Sequence, residues 1–599
     1  MKKFTDYIAP YRVFVFLSVS LIFLQSFSQL VLPDLMAKMV DIGIAEGDIG
    51  YIYKLGVYML VITIFSMICS VSAGYFISLF ASGFSRILRR DLFTQINSFS
   101  LEEFDRFGTS TLVTRTTNDV SQIQNVILMF LRIVVLAPLY VLGCMILMFQ
   151  KDVTMSLIVL MFIPLLAVFV FLLSRKIVPL MKKMQAKLDG LSRILRERLI
   201  GVRVIRAFNK EESAARQYDE ANADFTQISL RINRIMAILF PVLMFLMNMT
   251  ILAVLWYGSF RIETTHLSIG DMMAFIQYVM MILMSVVMLS FIFVIIPRAK
   301  VSYDRIFEIL NTETSIKNID ESVDESVDGE VDYVSAESEK YAPAVEFKNV
   351  VFKYSDSDKP ILKDISFSIA RGETVAVIGG TGSGKTSLVQ MIPRFYDTAD
   401  GTVFVGGQDV RSVNQAALRA KVGFVPQTAV LFSGTIADNV RYGKEDATEQ
   451  EIWEAIRISQ ASEFVENMED GLESYISQGG TNLSGGQKQR LTIARAIVKK
   501  PEVYIFDDNF SALDYKTDAN LRHALKTELK DAAVIIVAQR VATIKDLDKI
   551  IVLENGEIAG IGNDSYLMEN CGVYQSIVES QSGNGLPDSS VSKSREAAE

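Results

Sequence analysis

Six long apolar stretches constrain this chain more than any other feature. They run roughly over residues 13–35, 55–81, 126–149, 153–174, 236–259 and 272–296, with almost no charge inside them. A helix that crosses the hydrocarbon core of a bilayer takes about 20 apolar residues, and every stretch is near that length. The same pattern in a soluble protein would mean six fully buried core helices, which a chain with 50% hydrophobic residues concentrated in its first half does not support. The expectation is a six-helix, all-α transmembrane domain.

Orientation follows from the basic residues of the connecting segments, because Lys and Arg accumulate on the cytoplasmic side. Segments 36–52, 150–152 and 260–271 carry only Lys38, Lys151 and Arg261, whereas 82–125 holds five basic residues and 175–235 holds fourteen. The richer segments are therefore expected in the cytoplasm, together with the N-terminus, and His266 outside. Segment 175–235 has Gly190 and Gly201 as its only glycines. It reads as two helices of about 25 residues each, reaching about 40 Å from the bilayer at 1.5 Å per residue. Turns are expected near Leu112–Val120 (LVTRTTNDV) and Gly201–Phe208 (GVRVIRAF), either docking on a soluble domain or ending a solvated hairpin. In the last span, methionines such as Met273, Met280 and Met284 accompany Phe275 and Tyr278. Such residues repack around varied apolar partners, but they also serve lipid contact and helix packing. Gln25, Gln29, Asn248 and Gln277 are costly at membrane depth, and either line a cavity or bond between helices.

Residues 314–340 hold nine acidic residues and two basic ones. A stretch that repels itself and lacks apolar periodicity reads as a linker. From Ala344 short β-branched runs alternate with helical segments, the rhythm of an α/β domain. The expected division is a transmembrane domain over 1–312, a linker over 313–343, an α/β domain over 344–580 and a disordered tail over 581–599.

The strand Thr374–Gly379 runs into GGTGSGKT: Gly379, Gly380, Thr381, Gly382, Ser383, Gly384, Lys385 and Thr386. Its glycines let backbone N–H groups wrap a phosphate, Lys385 faces the β- and γ-phosphates, and the Thr386 hydroxyl faces Mg²⁺. A second strand, VYIF, ends in Asp507, placed to hold the metal. Between them stands LSGGQ, with Ser484, Gly485, Gly486 and Gln487 at a helix start suited to an anion. Cys69, Cys144 and Cys571 are too dispersed for a disulfide framework. The net charge of −9 speaks against nucleic acid.

Together, the phosphate loop, LSGGQ, VYIFDD and SALD (Ser511–Asp514) resemble the ATP-binding cassette (ABC) transporters. Six spans ahead of the cassette resemble the exporter type. The resemblance covers nearly all of residues 1–580 and implies an α/β P-loop cassette after the membrane domain, with ATP and Mg²⁺ as cofactors. It also implies a dimer sandwiching two ATP molecules, each between one chain's phosphate loop and the other chain's LSGGQ. Carried over by position, Tyr354 stacks on adenine and Gln427 contacts Mg²⁺ and the attacking water. Asp514 crosses between the sites, and the two cytoplasmic turns are coupling helices.

Two positions depart from the family. Asp508 stands where the catalytic glutamate is usual, and Gln539 where a histidine is usual. An aspartate is one methylene shorter, which withdraws its oxygens by about 1–1.5 Å; displacements of that size cost on the order of 10²-fold in rate. A glutamine donates a hydrogen bond but carries no proton. This pattern most resembles the poorly hydrolysing subunit of bacterial heterodimeric multidrug exporters, in which a second, competent half supplies turnover. The expected function is ATP-driven extrusion of small amphipathic compounds across the plasma membrane, in contact with its lipids. The alternatives are a homodimeric lipid or peptide exporter, and an ATP-gated regulator that does not pump.

Overall fold

The computed structural model describes residues 4–264, 267–318, 342–355, 357 and 359–581. Most of the expected linker, the tail beyond Gln581, and His266 lie outside them. The chain divides into two compact units, Met1–Ser98 with Phe107–Glu313, and Phe99–Arg106 with Thr314–Glu599.

Among the described residues of the first unit, six helices are long and apolar enough to cross a membrane. They are Arg12–Lys38, Ile49–Asn97, Val120–Lys151, Val153–Ala207, Glu211–Thr264 and Ile269–Asn311. Large apolar side chains point outward, with Phe16 71%, Met161 78% and Trp256 82% exposed. An apolar surface that wide marks a membrane interface. Inside, Ile22, Met148, Met155, Val254, Phe275 and Tyr278 share one core cluster. Two interior tyrosines find partners in a neighbouring helix: Tyr140 donates to the Gln29 side chain, and Tyr278 to the Leu30 carbonyl at 3.2 Å. At one end of the bundle, Lys151 bridges Asp34 at 2.7 Å and Asp271 at 2.6 Å, tying the first, third and sixth helices. Beside it, Arg261 donates twice to Asp152, at 3.0 and 2.7 Å.

The first expected turn is displaced. Leu112–Val120 stays helical; the hydroxyls of Thr114, Thr116 and Thr117 bond back to carbonyls four residues earlier and so are satisfied without a turn, and Arg115–Asp119 widens into a π turn. The break falls earlier, around the short helix Leu101–Phe107, which Glu103 starts by accepting the Ser100 N–H at 2.8 Å. Gly108 ends it at φ +72°, a conformation that glycine adopts without a Cβ penalty. The second turn falls at the end of its expected stretch, Phe208–Lys210, with Asn209 at φ +50°. Gly190 and Gly201 interrupt nothing; both lie inside Val153–Ala207.

The second unit holds a six-stranded sheet in the order Glu557–Gly562, Lys549–Glu554, Thr374–Gly379, Ala533–Val537, Val503–Asp507, Val422–Val425. All neighbours are parallel except the first pair. Strands such as Ala533–Val537 are buried throughout, as expected where both faces are covered. An antiparallel sheet of Leu362–Ile369, Val345–Phe352, Asp400–Val405 and Gln408–Asp409 accompanies it. The last described helix, Gly572–Gln581, includes the residue at which the tail was expected to begin.

Candidate nucleotide site

Four adjacent parallel strands deliver the site. Their carboxyl ends lead into the phosphate loop, Asp507–Asp508, Gln539 and Gln427, and ligands of open α/β sheets bind at such ends. Three of the loop's four glycines are required by the backbone geometry. A Cβ on Gly379 would lie 2.2 Å from the Leu553 carbonyl oxygen, and Gly382 and Gly384 adopt φ of +80° and +96°. Lys385 starts the helix Lys385–Gln390 and folds its ammonium back on the carbonyls of Gly379 (3.0 Å) and Gly380 (2.7 Å). Burial pulls that ammonium below its ordinary value, opposed by the carboxylates of Asp508 and Asp507. Thr381 is exposed and Ser383 buried within the same loop.

Thr386 donates to Asp507 at 3.2 Å. Burial pushes the Asp507 carboxyl up to about 6, with neighbouring Asp508 adding to the effect and Thr386 and Lys385 opposing it. A part-buried hydroxyl–carboxylate pair of hard oxygens suits Mg²⁺, which takes few protein ligands beside substrate phosphates. The cradle and the donor set therefore fit ATP with Mg²⁺.

Asp508 is 8% exposed and sits at φ +52°, a region that Asp tolerates better than most side chains. Its N–H donates to the Val537 carbonyl at 3.1 Å. Two carboxamides converge on a single oxygen, Oδ2: Gln539 Nε2 at 2.6 Å and Gln427 Nε2 at 3.3 Å. The two residues that depart from the family pattern thus touch each other.

Other expected residues lie differently. Tyr354 shares a hydrogen bond with Ser387 at 2.9 Å and packs edge-on to Phe352 and Tyr396. Ser484 caps the helix Gly485–Val498 in a reciprocal pair with Gln487, so these two bond each other. Asp514 caps Tyr515–Glu528 by accepting the Thr517 N–H at 3.0 Å.

The sequence reading missed a buried amide network. Asn509, 0% exposed, donates to the Pro426 carbonyl at 2.8 Å and to Gln489 at 2.9 Å, and Gln489 donates to the Gln427 carbonyl at 3.1 Å. It joins the strand end at Asp507, the segment of Gln427 and the helix that follows LSGGQ. An amide directly after two aspartates at a buried strand end was the available signal; nothing in the pattern singled out Gln489.

Residues 15–286 match the ABC transporter transmembrane region, and residues 362–511 match the ABC transporter family. An uncharacterized ABC transporter ATP-binding protein of Mycobacterium tuberculosis is 38% identical over 96% of this chain and 97% of its own length. A putative multidrug export ATP-binding/permease protein of Bacillus subtilis is 30% identical over 98% of this chain and its whole length. A bacterial Atm1-family ABC exporter with ATP bound shares the fold, with a TM-score of 0.77 at 22% identity, covering 96% of this chain and 98% of that one. With six membrane helices and a P-loop cassette in one polypeptide, the chain belongs to the ABC transporters and has the exporter-type fold, in which a transmembrane and an ATP-binding domain share one chain.

Proposed function

We propose that this chain is one half of an ATP-driven exporter of small amphipathic compounds, and that its own ATP site binds Mg²⁺-ATP but hydrolyses it slowly. It pairs with a different, catalytically competent chain. The cassette and the basic segments lie in the cytoplasm. Lys385 and the loop Gly379–Gly384 hold the phosphates, Tyr354 takes the adenine, and Thr386, Asp507 and Gln427 would hold Mg²⁺, which neutralises phosphate charge when bound. Ser484–Gln487 serve the partner's nucleotide.

The observation that supports this reading is the double engagement of Asp508 Oδ2 by Gln427 and Gln539. A general base must lie within hydrogen-bond reach of the proton it takes. Here Oδ2 already accepts two N–H donors, which leaves the other carboxylate oxygen, Oδ1, to serve the water. The missing methylene adds to the deficit, and no imidazole stands at Gln539.

ATP turnover by the purified chain alone, and then with a candidate partner half, tests the proposal. Negligible turnover alone, restored by a partner and lost when the partner's glutamate is removed, is expected. Robust turnover alone that disappears in Lys385→Ala would favour the homodimer. Asp508→Glu, in a variant that still assembles and binds ATP, is expected to raise turnover at this site by at least about tenfold. No rise would sink the one-methylene explanation. Accumulation of substrate against a gradient separates a pump from an ATP-gated regulator.

A further inference from the structure

The last described helix reaches into the site from behind. The Gln581 side chain closes a two-point clip on the segment after the strand Ala533–Val537: its Nε2 donates to the Gln539 carbonyl at 2.7 Å, and its Oε1 accepts the Val541 N–H at 2.8 Å. The clip therefore holds the carbonyl of the residue whose own Nε2 reaches Asp508 at 2.6 Å.

The helix that carries Gln581 is firmly seated. Tyr574 is 0% exposed and donates to Asp564 at 2.6 Å, and Val573, Ile577 and Val578 pack on the core of the unit. The same helix faces the phosphate loop across a cleft of about 670 Å³, lined by Gly380–Ser383 on one side and Ser576, Ile577 and Ser580 on the other. One element thus borders the phosphate loop and anchors the backbone of Gln539. A carboxamide suits this task because it pairs with a carbonyl and an N–H at once. A glutamate keeps only the acceptor, and a methionine of similar shape keeps neither.

We infer that Gln581 is a positioning residue for the nucleotide site. It fixes the backbone of Gln539–Val541 so that the Gln539 carboxamide stays on Asp508, and through this contact the C-terminal helix sets how long ATP is retained. The inference rests on the reading of Gln539 as a residue of the slow site.

Retention of radiolabelled ATP provides the test, using the full chain in lipid nanodiscs with its partner half. The complex is loaded with labelled Mg²⁺-ATP and chased with unlabelled ATP. Gln581→Met is expected to speed release by about three- to tenfold, the loss of one or two hydrogen bonds. Gln581→Glu is expected to fall between Met and the wild type. Both are expected to leave the thermal midpoint within a few degrees of the wild type. Unchanged release in both variants overturns the inference. Ile577→Ala loosens the same helix without touching the clip; if it speeds release as much as Gln581→Met, helix docking is responsible and the inference falls. A wild type that turns ATP over rapidly refutes the slow-site reading instead. The clip is then read in kcat at constant KM for ATP, where a several-fold drop in Gln581→Met supports it and no change overturns it.

Discussion

The membrane unit and the nucleotide unit use polar side chains in opposite ways. In the nucleotide unit, apolar residues fill the interior, with Val375, Ile505 and Ile535 at most 1% exposed. Its polar groups gather where strands end, as the chemistry requires. In the membrane unit, apolar residues face inward and outward alike, from Phe275 at 0% exposed to Trp256 at 82%. Lipid is as apolar as leucine, so burial alone does not choose which helices meet. Polar contacts between helices make that choice, among them Tyr140 to Gln29, Tyr278 to Leu30, Lys151 between two aspartates, and Arg261 to Asp152. Polar residues thus specify assembly in one unit and reactivity in the other.

The largest expected effect probes the nucleotide unit. In Gly379→Ala the new methyl meets the Leu553 carbonyl oxygen at 2.2 Å. Backbone offers no easy relief, so the cost is expected to exceed about 3 kcal/mol, with ATP binding lost, as measured by calorimetry and thermal unfolding. Normal ATP affinity in that variant would show that the loop end adapts.

Next comes the membrane unit. Lys151→Met leaves Asp34 and Asp271 without their shared cation, and a loss of about 2–3 kcal/mol is expected, reduced from the deeply buried case because all three side chains keep 16–30% exposure. The triple variant that adds Asp34→Asn and Asp271→Asn should recover most of the thermal midpoint in detergent. If the single variant is neutral, the bridge does not specify the bundle and the contrast between the units weakens.

Asn509→Ala removes two buried hydrogen bonds and is expected to cost about 1–2 kcal/mol. Combined with Gln489→Ala, the losses should fall short of additive, because the two residues share a bond. Full additivity in denaturant unfolding would mean that the amides do not act as a network.

The smallest effect concerns Glu451, held down to about 2 by Lys444 at 2.7 Å and then by the Thr448 N–H at 3.0 Å. Its folded value lies below the ordinary 4.5. The stabilisation is therefore fully present above that value and is lost as pH falls toward 2. Lys444→Met should flatten that part of a pH–stability curve; an unchanged slope would assign it to other carboxyls.

The contrast between the units also explains what the sequence disclosed. Spans were readable because length and apolarity alone define them, and GGTGSGKT, VYIFD and LSGGQ because their chemistry fixes the spacing. The first turn was misplaced within LVTRTTNDV, whose threonines lie inside the helix and bond back to it. The better signal was Ser100 followed three residues later by Glu103, the signature of a helix start. Gln489 and Gln581 were illegible for a different reason. Each acts on backbone remote in sequence, and no local pattern announces such a contact.

The helix Val153–Ala207 is 55 residues without interruption, a rod of about 80 Å at 1.5 Å per residue. Tilting it by 5° about its middle carries each end about 3–4 Å, more than half of one helical turn. A rod converts small rotations into large displacements only while it stays stiff. Pro164 and Pro179 lie within it, and each removes a backbone hydrogen bond. Leverage in this half of the molecule is therefore set at those two prolines, where the rod bends most easily.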